Sequence, residues 1–291
     1  MKKIALINDL SGFGKCSLAA AIPVISVLGI QACPLPTAIL SAQTGFPSYY
    51  CDDYTARMNH FTDAWKDMQV SFDGIYSGYL GSAAQMHNVL YFLEKFHTKD
   101  TLYLTDPVMG DNGQRIRIFT QELLDSMKEL TRHAGVITPN LTELCLLADM
   151  DYDTLTSHAS EADYLSYIED TARRLLPRAR TEQTIVITGI VRRLPGQSFV
   201  GNLAVTSDDR YYTETPYRGE SFSGTGDLFA SVIIGSLING LTIGEAMQRA
   251  VRFLWPAIEE ASRENVPKNH GIYFEKYLPL LLDKKSGGIC L

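Results

Sequence analysis

Residues 223–231 read SGTGDLFAS, and the apolar run continues from there as VIIGSLI. Gly224 and Gly226 allow a tight turn with its backbone N–H groups facing outward. The run after them reads as a helix over 225–239, so those N–H groups fall at a helix N-terminus, a ready anion site. Asp227 lies in the first helical turn. A negative charge is out of place there if the loop only binds an anion. It makes sense if Asp227 takes a proton from an attacking hydroxyl while the loop steadies charge on the group being transferred. Taken alone, these residues are also an ordinary turn with an aspartate at a helix start. Partners elsewhere in the chain have to decide.

Working outward, short β-type runs alternate with helical stretches. Residues 3–8 (KIALIN), 31–35, 72–77, 101–105 (TLYLT), 135–138 (GVIT) and 184–188 (TIVIT) read as strands. Residues 17–28, 52–68, 82–96, 121–132, 141–148, 160–176, 225–239 and 243–264 read as helices. Pro23 is expected to bend the first helix or mark its start. Ala83, Met86, Leu90 and Leu93 share one helical face; Leu123, Leu124, Met127 and Leu130 share another. Ala162, Leu165, Ile168, Ala172 and Leu175 share a third. Residues 199–206 and 210–213 flank the turn Ser207-Asp208-Asp209 and read as an antiparallel hairpin. The alternation predicts an α/β fold, a three-layer α/β/α sandwich whose central sheet is mostly parallel, with a small antiparallel hairpin. No linker, repeat or low-complexity tract divides residues 1–291, which read as one domain.

In such a sheet, ligands bind beyond the carboxyl ends of the strands. The strand ends here run into Asp9, SGYLGS (77–82), DPVMGD (106–111), PNLTE (139–143) and Gly189. These polar or Gly-rich tips would share one edge and make one site. Its carboxylates are Asp9, Asp106, Asp111 and Glu143. Carboxylates gathered together repel unless a cation sits among them, and Mg²⁺ suits oxygen ligands and normally arrives with substrate phosphates. Singly, Asp106 before Pro107 reads as a turn cap and Glu143 as a first-turn partner of a helix dipole. As a set they read as a site.

Composition removes other classes. The formal net charge is −7 and the basic pairs Arg173-Arg174, Arg192-Arg193 and Lys284-Lys285 are short, so no nucleic-acid footprint is drawn. Cys16, Cys33, Cys51, Cys145 and Cys290 are odd in number and contain no C-x-x-C, which argues for free thiols in a reducing cytoplasm over disulfides or zinc. The N-terminal apolar stretch is too short for a signal peptide, and no run is long enough to span a membrane. Residues 9–17, DLSGFGKCS, look like a phosphate-binding P-loop. Asp9 stands where that motif needs its first Gly, and Cys16 stands where it needs Ser or Thr, so the match fails. Lys15 is expected to face solvent. Arg115 and Arg117 occupy a flap by position alone. Tyr49, Tyr50, Trp65 and Trp255 read as packing, and His60, His87 and His270 have no metal-ligand spacing.

GTGD before a helix, together with SGYLGS, DPVMG and TPNLTE in that order, resembles the ribokinase superfamily, and within it the pyridoxal and pyridoxamine kinases. The resemblance runs from about Lys3 to the C-terminal helix. It implies a ribokinase-like cytoplasmic homodimer without a sugar-kinase lid, moving the γ-phosphoryl group of MgATP to the 5′-hydroxymethyl of a B6 vitamer. It implies that Asp227 is the base and that Gly224, Thr225 and Gly226 form the anion hole. Asp106, Asp111 and Glu143 would lie near Mg²⁺ and the ATP phosphates, with Asn140 and Thr188 lining the nucleotide. Asp9, Thr44 and Tyr79 would contact the acceptor ring. A monovalent cation is left open. Pyridoxal kinases commonly carry Ser where this chain has Asp9, and DLSG is similar to the D-x-S-G opening of hydroxymethylpyrimidine kinases of thiamine biosynthesis. That alternative shares the reaction but not the acceptor. A pyridoxal phosphate carrier without catalysis is the reading from another class, and the intact GTGD opposes it.

Overall fold

KIALIN carries apolar side chains on both faces because both faces are covered. In the computed structural model, which describes residues 1–157, 163–217, 219 and 221–282, it opens β1 (Lys3–Ser11). Ala5 and Ile7 enter one core, Ile4 and Leu6 another. The chain continues through α1 (Ser17–Val27), β2 (Gln31–Leu40), β3 (Cys51–Asp53), α2 (Thr55–Asp67), β4 (Gly74–Ser77), α3 (Ala83–Phe96) and β5 (Leu102–Thr105). A small hairpin, β6 (Gly110–Asp111) and β7 (Gln114–Arg115), precedes α4 (Gln121–Thr131), β8 (Val136–Ile137), α5 (Leu141–Ala148), α6 (Tyr152–Thr156) and α7 (Tyr164–Arg173). Then come β9 (Thr184–Leu194), β10 (Gln197–Val205), β11 (Arg210–Pro216), α8 (Thr225–Ile238) and α9 (Ile243–Arg263).

Nine strands form one sheet in the order β11-β10-β9-β8-β5-β4-β1-β2-β3. From β9 to β2 every neighbouring pair is parallel. The hairpin strands β10 and β11 at one edge and β3 at the other are antiparallel. Met58, Val89, Met127, Leu144 and Ile168 bring α2 to α5 and α7 onto one face. Leu18, Ile233 and Phe253 bring α1, α8 and α9 onto the other. The result is the expected three-layer, ribokinase-like sandwich. Each such side chain contributes about 1.5–3 kcal/mol on full burial.

Several boundaries differ from the sequence reading. β1 does not stop before Asp9 but runs through it, with a register shift against β2 between Asn8 and Leu10. β9 likewise continues through Gly189, whose φ of +68° lets the strand bend where it leaves the sheet core. Residues 52–68 begin as the edge strand β3, and the helix starts at Thr55. Pro23 lies inside α1, which runs on to Val27. On α3, Ala83 and Leu90 are only half-buried, while Val89, Phe92 and Phe96 join Met86 and Leu93 in the core. The Asn112-Gly113 turn of the β6–β7 hairpin, both residues at positive φ, is a short-range hairpin signal that the reading passed over. It carries the exposed Arg115 of the expected flap. Residues 160–162 of the expected helix, Lys284-Lys285 and Cys290 lie outside the described residues.

β1 sits between β2 and β4, so the chain builds one way from β1 and then returns to its other side. Such a reversal opens a crevice beyond the carboxyl ends of the two strands. Beneath it, Phe92 packs among Trp65, Phe72 and Phe96 at centroid distances of 6.1, 5.8 and 4.6 Å. Phe92→Ala is expected to cost about 3–5 kcal/mol in denaturant unfolding followed by tryptophan fluorescence. A loss below about 1 kcal/mol would show that this aromatic cluster is not part of the core that supports the crevice.

Candidate active site

Gly224 occupies the N-cap position of α8 with φ +83°. A Cβ there would lie 1.8 Å from the Lys15 carbonyl oxygen, so the loop can only be glycine and rests directly on the β1–α1 connection. Behind it, α8 is buried from Leu228 to Ser236, which fixes the loop to the core. Thr225 turns its hydroxyl back to the Phe222 carbonyl at 2.9 Å. Asp227 then enters the crevice. Its Oδ1 accepts from Asn8 Nδ2 at 3.1 Å and from the Tyr76 hydroxyl at 3.4 Å. The Ser17 backbone N–H faces the carboxylate and lowers its pKa. Burial pushes the Asp227 pKa up to about 6, opposed by the Ser17 amide, reinforced by the charge of Asp9, and opposed again by Asn8 and Tyr76. A carboxylate poised there suits a general base near neutral pH.

On the side toward β5, Asp106 is buried, and its Oδ1 accepts from the Thr138 hydroxyl at 3.0 Å. Its Oδ2 faces Gly226, 3.6 Å from where a Cβ would stand. Burial raises the Asp106 pKa to about 7, and the charge of Asp227 adds to the rise. Glu143 is also buried. Its two oxygens accept from the Met109 and Asn140 amides at 3.0 and 2.8 Å, completing a capping box with Asn140 at the start of α5. Burial, then the charge of Asp106, pushes its pKa up. Asn140 gives its Nδ2 to the Gly110 carbonyl at 2.8 Å and so fastens the β6–β7 hairpin. Thr188 bridges to Asn140 as a β-bridge and is half-buried.

Asp111 stands apart. It is exposed on the hairpin turn, and its oxygens accept from the Asn112 amide and side chain at 2.9 and 3.0 Å. Among the described residues no group of three or more His, Cys, Asp or Glu is arranged to hold a metal. Of the expected cation set, Asp106 offers an oxygen beside the Gly-rich loop. Glu143 and Asp111 have theirs on backbone and Asn112. That arrangement fits a divalent ion that brings most of its coordination with it, not one caged by the protein.

The residues expected on the acceptor side lie on β1, after β4 and on the loop after β2. Asp9 is buried, with Oδ1 2.6 Å from the Ser17 hydroxyl and Oδ2 2.9 Å from the Ser11 hydroxyl; burial raises its pKa. The Tyr79 amide donates to Asn8 Oδ1 at 3.1 Å, and burial, with Asp9 next, pushes its phenol up to about 12. Thr44 is exposed on its loop. Its neighbour Gln43 is buried and donates to Ser223 Oγ at 3.3 Å, tying that loop to the Gly-rich turn. Phe13, Phe46 and His270 meet at 5.3–5.6 Å between ring centroids on the rim, which gives His270 a packing role.

Sequence reasoning missed Asn8, Tyr76, Ser17 and Gln43. Asn8 carries the most weight: one side chain joins the Asp9 amide, the Tyr79 amide and Asp227. Gly78 makes room for it, since a Cβ there would lie 2.2 Å from Asn8 Nδ2. The available signal was a polar residue closing an otherwise apolar strand, one position before Asp9.

A model of the phosphomethylpyrimidine kinase family matches residues 14–273. A Bacteroides thetaiotaomicron protein assigned as a phosphomethylpyrimidine kinase, in a rhombohedral crystal form, is 36% identical with a TM-score of 0.89, covering 98% of this chain and 95% of that one. Its orthorhombic form with pyridoxal gives 37% and 0.85, over 96% and 95%. A pyridoxal kinase from Lactobacillus plantarum is 27% identical with a TM-score of 0.84, over 97% of each chain. A pyridoxal kinase of Deinococcus radiodurans is 25% identical over 270 residues, 90% of this chain and 88% of its own. The chain is thus a phosphotransferase of the ribokinase superfamily. It belongs to the phosphomethylpyrimidine kinase family.

The raised pKa of Asp227 has a stability consequence. A carboxyl whose folded pKa lies above its unfolded value holds its proton more tightly when folded. Its contribution is full below about 3.8 and is lost as pH rises through about 6. Asp227→Asn is therefore expected to be more stable than the parent at pH 8, by on the order of 1–3 kcal/mol. The difference should close toward pH 4. Paired denaturant titrations at the two pH values measure it, and a parent as stable as the variant at pH 8 would refute the shift.

Proposed function

We propose that this chain is an ATP-dependent kinase that phosphorylates the 5′-hydroxymethyl group of a B6 vitamer. The observation that carries the reading is Asp227, buried with its pKa raised to about 6, immediately after the Gly224–Gly226 turn at the start of α8. Phosphoryl transfer asks the protein mainly for positioning and charge stabilisation. Asp227 takes the proton of the attacking hydroxyl. The backbone of Gly224, Thr225 and Gly226 faces the group in transfer, at the positive end of α8. Asp106 would hold the Mg²⁺ that accompanies ATP, whose chemistry is to neutralise charge on the phosphates. Asn140 and Thr188 line the nucleotide side, and Tyr79 and Thr44 the ring side. Glu143 serves by fixing Met109 and Asn140, and Asp111 by shaping the hairpin turn.

The B6 acceptor is supported by the 37% identical Bacteroides protein solved with pyridoxal. The second reading, a hydroxymethylpyrimidine kinase, is supported by the D-x-S-G stretch and by the description of the matching family. Residues 1–291 are taken as one kinase domain because strands from both halves of the chain share one sheet. Free Cys16, Cys33, Cys51 and Cys145 fit a reducing cytoplasm. The assembly proposed is a homodimer, on the resemblance, and light scattering tests it.

With MgATP, turnover on pyridoxal, pyridoxine, pyridoxamine and hydroxymethylpyrimidine is measured side by side. A B6 vitamer is expected to give the highest kcat/KM; a clear lead for the pyrimidine selects the second reading. Asp227→Ala should lose several orders of magnitude in turnover while still binding ATP. A loss within about tenfold, roughly 1.4 kcal/mol, would remove Asp227 from the base position. In the parent, kcat should fall as pH drops below about 6, where the base becomes protonated.

A further inference from the structure

Ser17 opens α1 with φ +51°, a left-handed conformation that a serine adopts only when its surroundings enforce it. It is buried, and the residue before it, Cys16, caps the helix with no side-chain hydrogen bond. The restraint comes from Asp9, whose Oδ1 accepts the Ser17 hydroxyl at 2.6 Å while Ser11 holds the other oxygen. The register shift between Asn8 and Leu10 sets Asp9 where it can do this. On its other side the Ser17 N–H faces Asp227 and lowers its pKa, and the turn that carries it meets the loop before Asp227, a Cβ on Gly224 falling 3.1 Å from Cys16 Cα. Ser17 thus stands between two buried carboxylates, giving its hydroxyl to one and turning its amide toward the other.

We infer that Asp9 is a positioning residue for phosphoryl transfer: it locks Ser17 in the left-handed conformation, which aims the Ser17 N–H at Asp227. This rests on the kinase reading. It assigns Asp9 to the base rather than to the ring, because both of its oxygens are already engaged and only 7% of the residue is exposed. It also explains why the turn Gly14–Ser17 is pressed against Gly224: the same few residues hold the base and floor the loop beside it.

Glycine reaches positive φ without an anchor, and this supplies the test. Asp9→Ala is expected to lower kcat by about tenfold or more, by a similar factor for every acceptor, with acceptor KM changed less than about threefold. Adding Ser17→Gly to Asp9→Ala should recover about tenfold of that loss, since the backbone then turns without the carboxylate. A ring-contacting Asp9 would instead raise KM, reorder the acceptors and gain nothing from the glycine, and any of these overturns the inference. Circular dichroism checks that each variant folds. A crystal structure of Asp9→Ala decides the matter apart from activity: Ser17 leaving the left-handed region supports the lock, and Ser17 unchanged refutes it. If the parent phosphorylates none of the acceptors, the kinase reading fails, and this crystallographic arm still judges the lock.

Discussion

A carboxylate taken out of water at the start of an apolar helix sets the terms for the structure around it. Burial suits Asp227 to the proposed role of base near neutral pH, and a buried charge without donors costs several kcal/mol. Its donors arrive from two elements, Asn8 from β1 and Tyr76 from β4, and the Ser17 amide of α1 faces it and lowers its pKa. Each brings a requirement of its own. Asn8 needs Gly78, the β1–α1 turn needs Gly224, and Ser17 needs an anchor for its backbone. The parallel sheet meets these requirements together, because the reversal at β1 brings the ends of β1 and β4 under the N-terminus of α8.

The same burial explains why the site favours a cationic guest. Burial pushes the pKa of Asp106 to about 7 and that of Asp227 to about 6, and the charge of Asp227 adds to the rise at Asp106. A charged Asp227 therefore makes Asp106 beside it harder to charge. In the proposed kinase, a divalent ion beside Asp106 would relieve that repulsion and let both carboxylates be charged. On that proposal, binding of the nucleotide with its ion would be coupled to the carboxylate proposed as the base.

The framework of this arrangement is legible in the sequence. Asp106, Asn140, Glu143 and Thr188 follow or close apolar strands, and Asp227 follows two glycines at a helix start, so a rule about strand ends finds them. The rule finds positions, not contacts. It placed Asp111 among the cation ligands because it closes DPVMGD, whereas the Asn112-Gly113 turn carries it onto an exposed hairpin. It stopped β1 before Asp9, because apolar periodicity ends at Asn8, whereas the strand continues to Ser11 on backbone hydrogen bonds alone. Asn8 and Asp227 are 219 positions apart, and no local pattern encodes their 3.1 Å bond.

DLSGFGKCS shows how the same letters are reused. As a P-loop, its lysine would reach a phosphate. Here Lys15 Nζ lies 2.8 Å from Glu275 Oε2 and 4.8 Å from the Tyr273 ring centroid, so it is paired and not a free surface lysine. The ion pair itself, half in solvent, is worth about 0–1 kcal/mol. Its consequence is positional. The Lys15 carbonyl supports Gly224, and the Lys15 side chain lies under Gly271, where a Cβ would meet its Cβ at 2.9 Å. The segment around 271–275 thereby clamps the turn on which the Gly224–Gly226 loop rests. A stretch that imitates a phosphate loop is the floor of the Gly-rich turn proposed to hold the phosphate, and the glycine that makes this contact tolerable is Gly224, in the motif more than two hundred residues away.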